Sequence, residues 1–170
     1  MTRENLDEKT VLKDFKEAFK HELQELGKEE QEKAVETFAQ HFEEGFGRVQ
    51  QHRHALNQKQ AVLRFIHEAK IQVHNARLRD VKTHFPHYVE ELGRGLGELM
   101  AVIEYACFRN QWTDDAETLR KHLVPVIQLL DRTEHQHHHK KIRKRVKKIM
   151  HHDTTPEERQ LGAAIIDAFR

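Results

Sequence analysis

At 170 residues the chain suits one domain with a continuous apolar core. It is 37% hydrophobic and 34% charged, which implies a densely charged surface, while Leu, Val, Ile and Phe recurring at regular spacing argue against wholesale disorder. The single cysteine, Cys107, excludes an intramolecular disulfide, no apolar run approaches a bilayer span, and the opening "MTRENLDEKT" lacks the apolar region of a signal peptide. The expectation is a soluble, cytoplasmic protein without a transmembrane segment.

The first stripe, over residues 6–26, places Leu12, Phe15, Phe19, Leu23 and Leu26 at helical spacing. Asn5 and Glu8 suit a capping box there, and Gly27 suits the stop. Residues 29–46 repeat the pattern with Val35, Phe38, Ala39, Phe42 and Phe46, and Gly45 with Gly47 predicts a bend or break near Gly47. Asn57 and Gln60 can cap a third helix whose face is Val62, Phe65, Ile66, Ala69, Val73, Ala76 and Val81, ending before Pro86. A fourth helix opens at Pro86 and buries Val89, Leu92, Leu96, Leu99, Met100, Ile103 and Cys107. Gly93, Gly95 and Gly97 lie inside it, which points to close helix–helix packing or else to a hinge or binding surface. After the "NQWTDD" turn, Thr113 or Asp114 caps a fifth helix carrying Leu119, Leu123, Ile127 and Leu130, with Pro125 predicted to kink it. Ile142, Val146 and Ile149 then form a narrow seam on a basic helix. "TTPEER" opens the last helix, with Thr155 as cap, Pro156 at the first position and Glu158 completing the box.

No stretch alternates with period two, so the predicted fold is all-α: a single-domain antiparallel bundle of about six or seven helical segments. The only candidate subdivision is a hinge near residues 131–138, before the basic helix.

The net charge of +1 conceals blocks: −6 over residues 1–47, +6 over 48–87, −4 over 88–134, +7 over 135–152 and −2 over 153–170. Twelve of the 15 histidines fall in the two basic blocks. Such asymmetry reports interaction surfaces rather than fold. The strongest block is "HQHHHKKIRKRVKKIMHH", residues 135–152. Lys140, Lys141, Arg143, Lys144, Arg145, Lys147 and Lys148 could neutralise several phosphates, with the arginines as bidentate donors. All but Lys140 are specifically expected to sit exposed, while Ile142, Val146 and Ile149 face the bundle. Arg77, Arg79 and Lys82 from the other basic block would complete a composite polyanion face. The competing expectation is pairing with an acidic protein surface, as a regulatory module or a subunit of a larger complex. Protonation of the clustered histidines predicts polyanion affinity that rises as pH falls from about 8 to 6.

Two other constellations bear on chemistry. His135 and His139 are four apart and would share a helix face, the spacing of a metal-binding pair, but their neighbours are cations. "RDVKTH" contains Arg79, Asp80 and His84, and it resembles the Arg-polar-x-x-x-His signature of the HEPN ribonucleases, small helical bundles themselves. The resemblance covers six residues and implies Arg79 and His84 as catalytic groups. No zinc-finger spacing, ribonucleoprotein aromatic motif or Gly-rich phosphate loop is present, so no cofactor is expected. The leading expectation is a non-enzymatic accessory protein that holds RNA or DNA through its phosphates. The acidic-partner module is the alternative, and a HEPN-like ribonuclease the second alternative.

Overall fold

The computed structural model describes residues 8–22, 27–79, 85–109, 116–130, 136–150 and 155–168. Its helices are α1 (Glu8–Glu22), α2 (Lys28–Gln51), α3 (Lys59–Arg77), α4 (Phe85–Val102), α5 (Ala116–Gln128), α6 (Gln136–Met150) and α7 (Pro156–Ala168). A 3-10 turn, Arg53–Asn57, joins α2 to α3, and α4 runs directly into a π-helical segment, Ile103–Arg109. No strand occurs among the described residues, and the architecture is an all-α helical bundle. None of these helices is long and apolar enough to cross a membrane.

The bundle is organised around α4. Every residue from Gly95 to Ala106 is buried. A helix that is apolar nearly all round has to be covered on several sides. Here α2 makes the most extensive packing against α4, with α3 next. The glycines of α4 make that approach possible. A Cβ at Gly93 would stand 2.8 Å from the Phe38 carbonyl oxygen of α2, and one at Gly95 would stand 2.8 Å from Val73 Cγ2 of α3. Close packing is therefore what these glycines serve, and the helix continues through all of them.

The same reason corrects the break expected near Gly47. Helix α2 runs unbroken to Gln51. Gly45 lies flush against the backbone of Arg94, so its missing side chain admits α4 rather than ending α2. A second boundary also moves. The 3-10 turn consumes Asn57, leaving Gln58 as the N-cap of α3, with no side-chain capping bond. Gly27 proves to be the N-cap of α2, in extended conformation at φ −61 and ψ 157. Pro125 sits in the last turn of α5, with only Val126–Gln128 following it. The capping box of α7 forms as the sequence predicts: Glu158 N–H donates to Thr155 Oγ1 at 3.2 Å, and Thr155 N–H donates to Glu158 Oε1 at 3.4 Å. The Asn5 cap, Leu23, Leu26, Val81, the Trp112 turn and residues 131–135 of the expected hinge lie outside the described residues.

The core begins as an aromatic ladder between α1 and α2. Phe19 stacks on Phe38 at 4.4 Å between ring centroids, Phe15 meets Phe42 at 5.4 Å, and Phe42 stacks on Phe46 at 6.1 Å. Each such pair adds about 0.5–1.5 kcal/mol beyond area burial. Leu, Ile and Val from α3, α4, α5 and α7 continue the same buried cluster. Helix α6 closes one side, resting on α1 and α7.

Candidate polyanion-binding face

The seam of α6 is wider than the aliphatic spacing predicts. Ile142 and Val146 are fully buried as expected, and His138, His139 and Arg145 are buried beside them. The side chain of Ile149 lies outside the described residues. His138 enters the aromatic ladder, with its ring 5.7 Å from Phe15, 6.3 Å from Phe19 and 5.8 Å from Phe38. Burial in that apolar box pushes its pKa down to about 3, so the ring is neutral near physiological pH. It adds no charge to the surface between pH about 8 and 6, unlike the histidines pictured from sequence.

Arg145 corrects the expected exposure. It is 5% exposed, and its Nε donates to Glu104 Oε1 at 2.5 Å. Glu104 belongs to the π-helical segment and is itself fully buried. Position 145 falls three residues after Ile142 and so points inward; the guanidinium is tolerated there because a buried carboxylate meets it. Lys141 is half-buried and bonds Glu17 of α1 at 3.3 Å. Two of the seven bases therefore fasten the helix to the bundle.

The other five turn away from it. Lys140, Arg143, Lys144, Lys147 and Lys148 are the described residues lining a groove of about 540 Å³ along the helix. Their spacing of i, i+3, i+4, i+7 and i+8 places them on one face. Lys140, Lys144, Lys147 and Lys148 are exposed and Arg143 is half-exposed. Among the described residues no carboxylate is paired with any of the five. Among the described residues the groove is lined by the aliphatic stems and charged heads of these five side chains, with no aromatic ring.

The second basic block is placed differently. Arg77 is exposed in the last turn of α3. Arg79 is held by Glu91 of α4 through two hydrogen bonds, Nε to Oε2 at 3.1 Å and Nη2 to Oε1 at 3.2 Å. Lys82 and His84 lie outside the described residues, and so does His135, the partner expected for His139. Among the described residues no group of three or more His, Cys, Asp or Glu could hold a metal ion. Helix α3 packs on α4 and α5, whereas α6 packs on α1 and α7. The two basic elements are thus not packed against one another.

A third polar constellation escaped the sequence. Glu98 of α4 is 1% exposed, and its Oε2 has no hydrogen-bond partner. Burial chiefly, and then the neighbouring Glu68, raise its pKa to about 7, against the opposing pull of Arg48 and Arg94. Those arginines are committed to the other carboxylates: Arg48 to Glu68 at 2.8 Å and Arg94 to Glu44 at 3.2 Å. Arg94 also reaches His41 Nδ1 at 3.0 Å and Gln72 Oε1 at 3.4 Å. With Glu98 protonated, two arginines face two carboxylates and the cluster is balanced. The available signal in the sequence was Glu98 interrupting an apolar face, one turn from Arg94.

No family model matches the chain, and no curated protein and no solved structure is detectably similar to it.

Proposed function

We propose that the protein binds nucleic acid, RNA or DNA, without catalysing a reaction on it, and that the outer face of α6 makes the phosphate contacts. One observation carries this: five cations line a single groove with no described carboxylate among them. Several arginines elsewhere are matched to acids, as in Arg48–Glu68, Arg94–Glu44, Arg79–Glu91 and Arg145–Glu104. Like charges at i, i+3 and i+4 repel by a few tenths of a kcal/mol per pair, about 0.2–0.5. A polyanion relieves that repulsion and gains entropy as its counterions are released.

The underside of the helix supports the same function. Arg145, His138, Ile142 and Val146 anchor α6 in the core, so the cations project from a fixed rod rather than a mobile tail. The described lining residues of the groove include no aromatic ring to serve as a stacking platform, and contacts to phosphate should dominate over contacts to bases. Arg79, engaged by Glu91, lends no support to a ribonuclease built on that residue.

The test is the salt dependence of binding. Five neutralised phosphates predict a slope of log K against log salt of about −4.5 on duplex and about −3.5 on single strands. Binding that is flat in salt would overturn the proposal. The rival occupant, an acidic protein surface, is distinguished with polyglutamate as competitor: displacement at equal charge concentration favours it, and failure to displace favours phosphate, which Arg143 can grip in bidentate fashion.

A further inference from the structure

Away from α6, two other helices carry outward faces of opposite sign. On α2, Glu29, Glu32, Glu36 and Glu43 are all exposed and fall within one face of the helix. None of the four is in an ion pair among the described residues. The crowding there is real: Glu43 helps to raise the pKa of Glu8 on α1, second to burial. On α3, Arg64, His67, Lys70 and His74 are exposed on the outward side, again in no ion pair among the described residues. Ile71, 43% exposed, stands among them, and Leu78, 73% exposed, follows at the C-cap of α3. These are the only two large hydrophobics exposed among the described residues, and they share one face at i and i+7.

The two faces match in length. Glu29 to Glu43 and Arg64 to Leu78 are each 14 residue steps apart, a rise of about 21 Å at 1.5 Å per residue. α2 and α3 both pack chiefly on α4 and meet each other through Arg48–Glu68, but the residues of these two stripes are exposed and form no ion pair with one another among the described residues. Like the five cations of α6, these two stripes carry charge that no ion pair among the described residues neutralises, and the two are of complementary sign.

We propose that the α3 face of one molecule docks on the α2 face of a second copy of this chain, with Arg64 and Lys70 against the Glu29–Glu43 stripe and Ile71 and Leu78 covered by the contact. The interface is heterologous: the two surfaces differ, so each copy offers one of each, and association extends into a ring or a chain rather than closing as a twofold dimer. One helix face about 21 Å long and about 10 Å wide covers only a few hundred Å² per partner, well under the roughly 800 Å² of a standard interface. Association therefore belongs to the weak, transient class and is steered by charge.

The experiment is sedimentation velocity of nucleic-acid-free protein from about 0.01 M to about 1 M salt, over which the Debye length falls from about 30 Å to about 3 Å. Concentration-dependent association at low salt, lost at high salt, is expected. Two charge-reversed variants then identify the surfaces: Arg64→Glu with Lys70→Glu on α3, and Glu32→Lys with Glu36→Lys on α2. Each variant alone should be monomeric, and their equimolar mixture should associate again, because every contact between unlike copies is complementary. That recovery also shows that both variants are folded. Wild-type protein that stays monomeric at every salt, association untouched by either reversal, or a mixture that fails to recover would each overturn the proposal. Ile71→Ser with Leu78→Ser should weaken association while leaving its salt dependence in place; unchanged association would remove the apolar pair from the contact.

Discussion

Replacing Glu98 by Gln converts the buried polar cluster into a measurement of its own charge. In the unfolded chain the carboxyl titrates near 4.5, and in the folded protein near 7. At pH below about 4.5 both states hold the proton and the shift costs nothing. Between about 4.5 and 7 the unfolded chain is ionised while the folded protein keeps its proton, so stability falls by about 1.4 kcal/mol per pH unit. Above about 7 both states are ionised, and the accumulated loss is about 3 kcal/mol, an order-of-magnitude figure from a shift of about 2.5 pH units. The amide of Glu98→Gln carries no charge at any of these pH values. Its NH₂ must be accommodated beside Arg48 and Arg94, which costs about 1 kcal/mol for an imperfectly paired buried donor. The variant should therefore be less stable than wild type near pH 5 and more stable near pH 8, by a net of about 2 kcal/mol. Urea denaturation of both proteins at half-unit steps from about pH 5 to 8 measures this, with midpoints compared at constant slope. The difference between the two profiles is the decisive quantity, because the titration of groups not coupled to Glu98 cancels in it. Parallel profiles would mean that Glu98 is already ionised in the fold, and the argument from its burial would be wrong.

His138 should show the opposite sign. Its pKa is lowered to about 3 by burial, so its contribution is present above about 6.5 and is lost as pH falls toward about 3, by up to about 5 kcal/mol. His138→Phe should flatten the acid side of the stability curve, read by thermal melts in citrate; an unaltered acid limb would refute it. Arg145→Ala leaves Glu104 as a buried charge without its closest base and should cost about 3–5 kcal/mol by chemical denaturation. The double change Arg145→Met with Glu104→Leu should cost less than the single one, and a double variant as unstable as the single would show that the pair does not act as a unit. Lys144→Glu with Lys148→Glu should weaken binding to duplex DNA and reduce the magnitude of the salt slope by about 2, with helicity unchanged by circular dichroism; retained affinity in the folded variant would eliminate the α6 face.

Some of this was legible before any tertiary structure. Helix existence follows from apolar residues recurring every three or four positions. Phe15 and Phe19, Phe38 and Phe42, and Leu92, Leu96 and Leu99 all occupy the faces their spacing assigns. The start of α7 is equally local, because Thr155, Pro156 and Glu158 satisfy one another within a single turn. The inward seam of α6 was predictable at Ile142 and Val146 for the same reason.

What periodicity cannot say is what stands opposite a given face. Gly45 reads as a break by itself and becomes a contact only once α4 lies against it. Arg145 reads as one more surface cation until Glu104, 41 residues earlier in the chain, is brought to 2.5 Å. His138 reads as part of a charged, titrating cluster, yet three phenylalanines from α1 and α2 make it a neutral core ring. Glu98 is an ordinary acid in a helix until burial beside Glu68 holds its proton. Local spacing decides which residues share a face, since helix geometry is set within a few residues. The charge state and exposure of a polar side chain depend on dielectric and on partners that only long-range packing supplies.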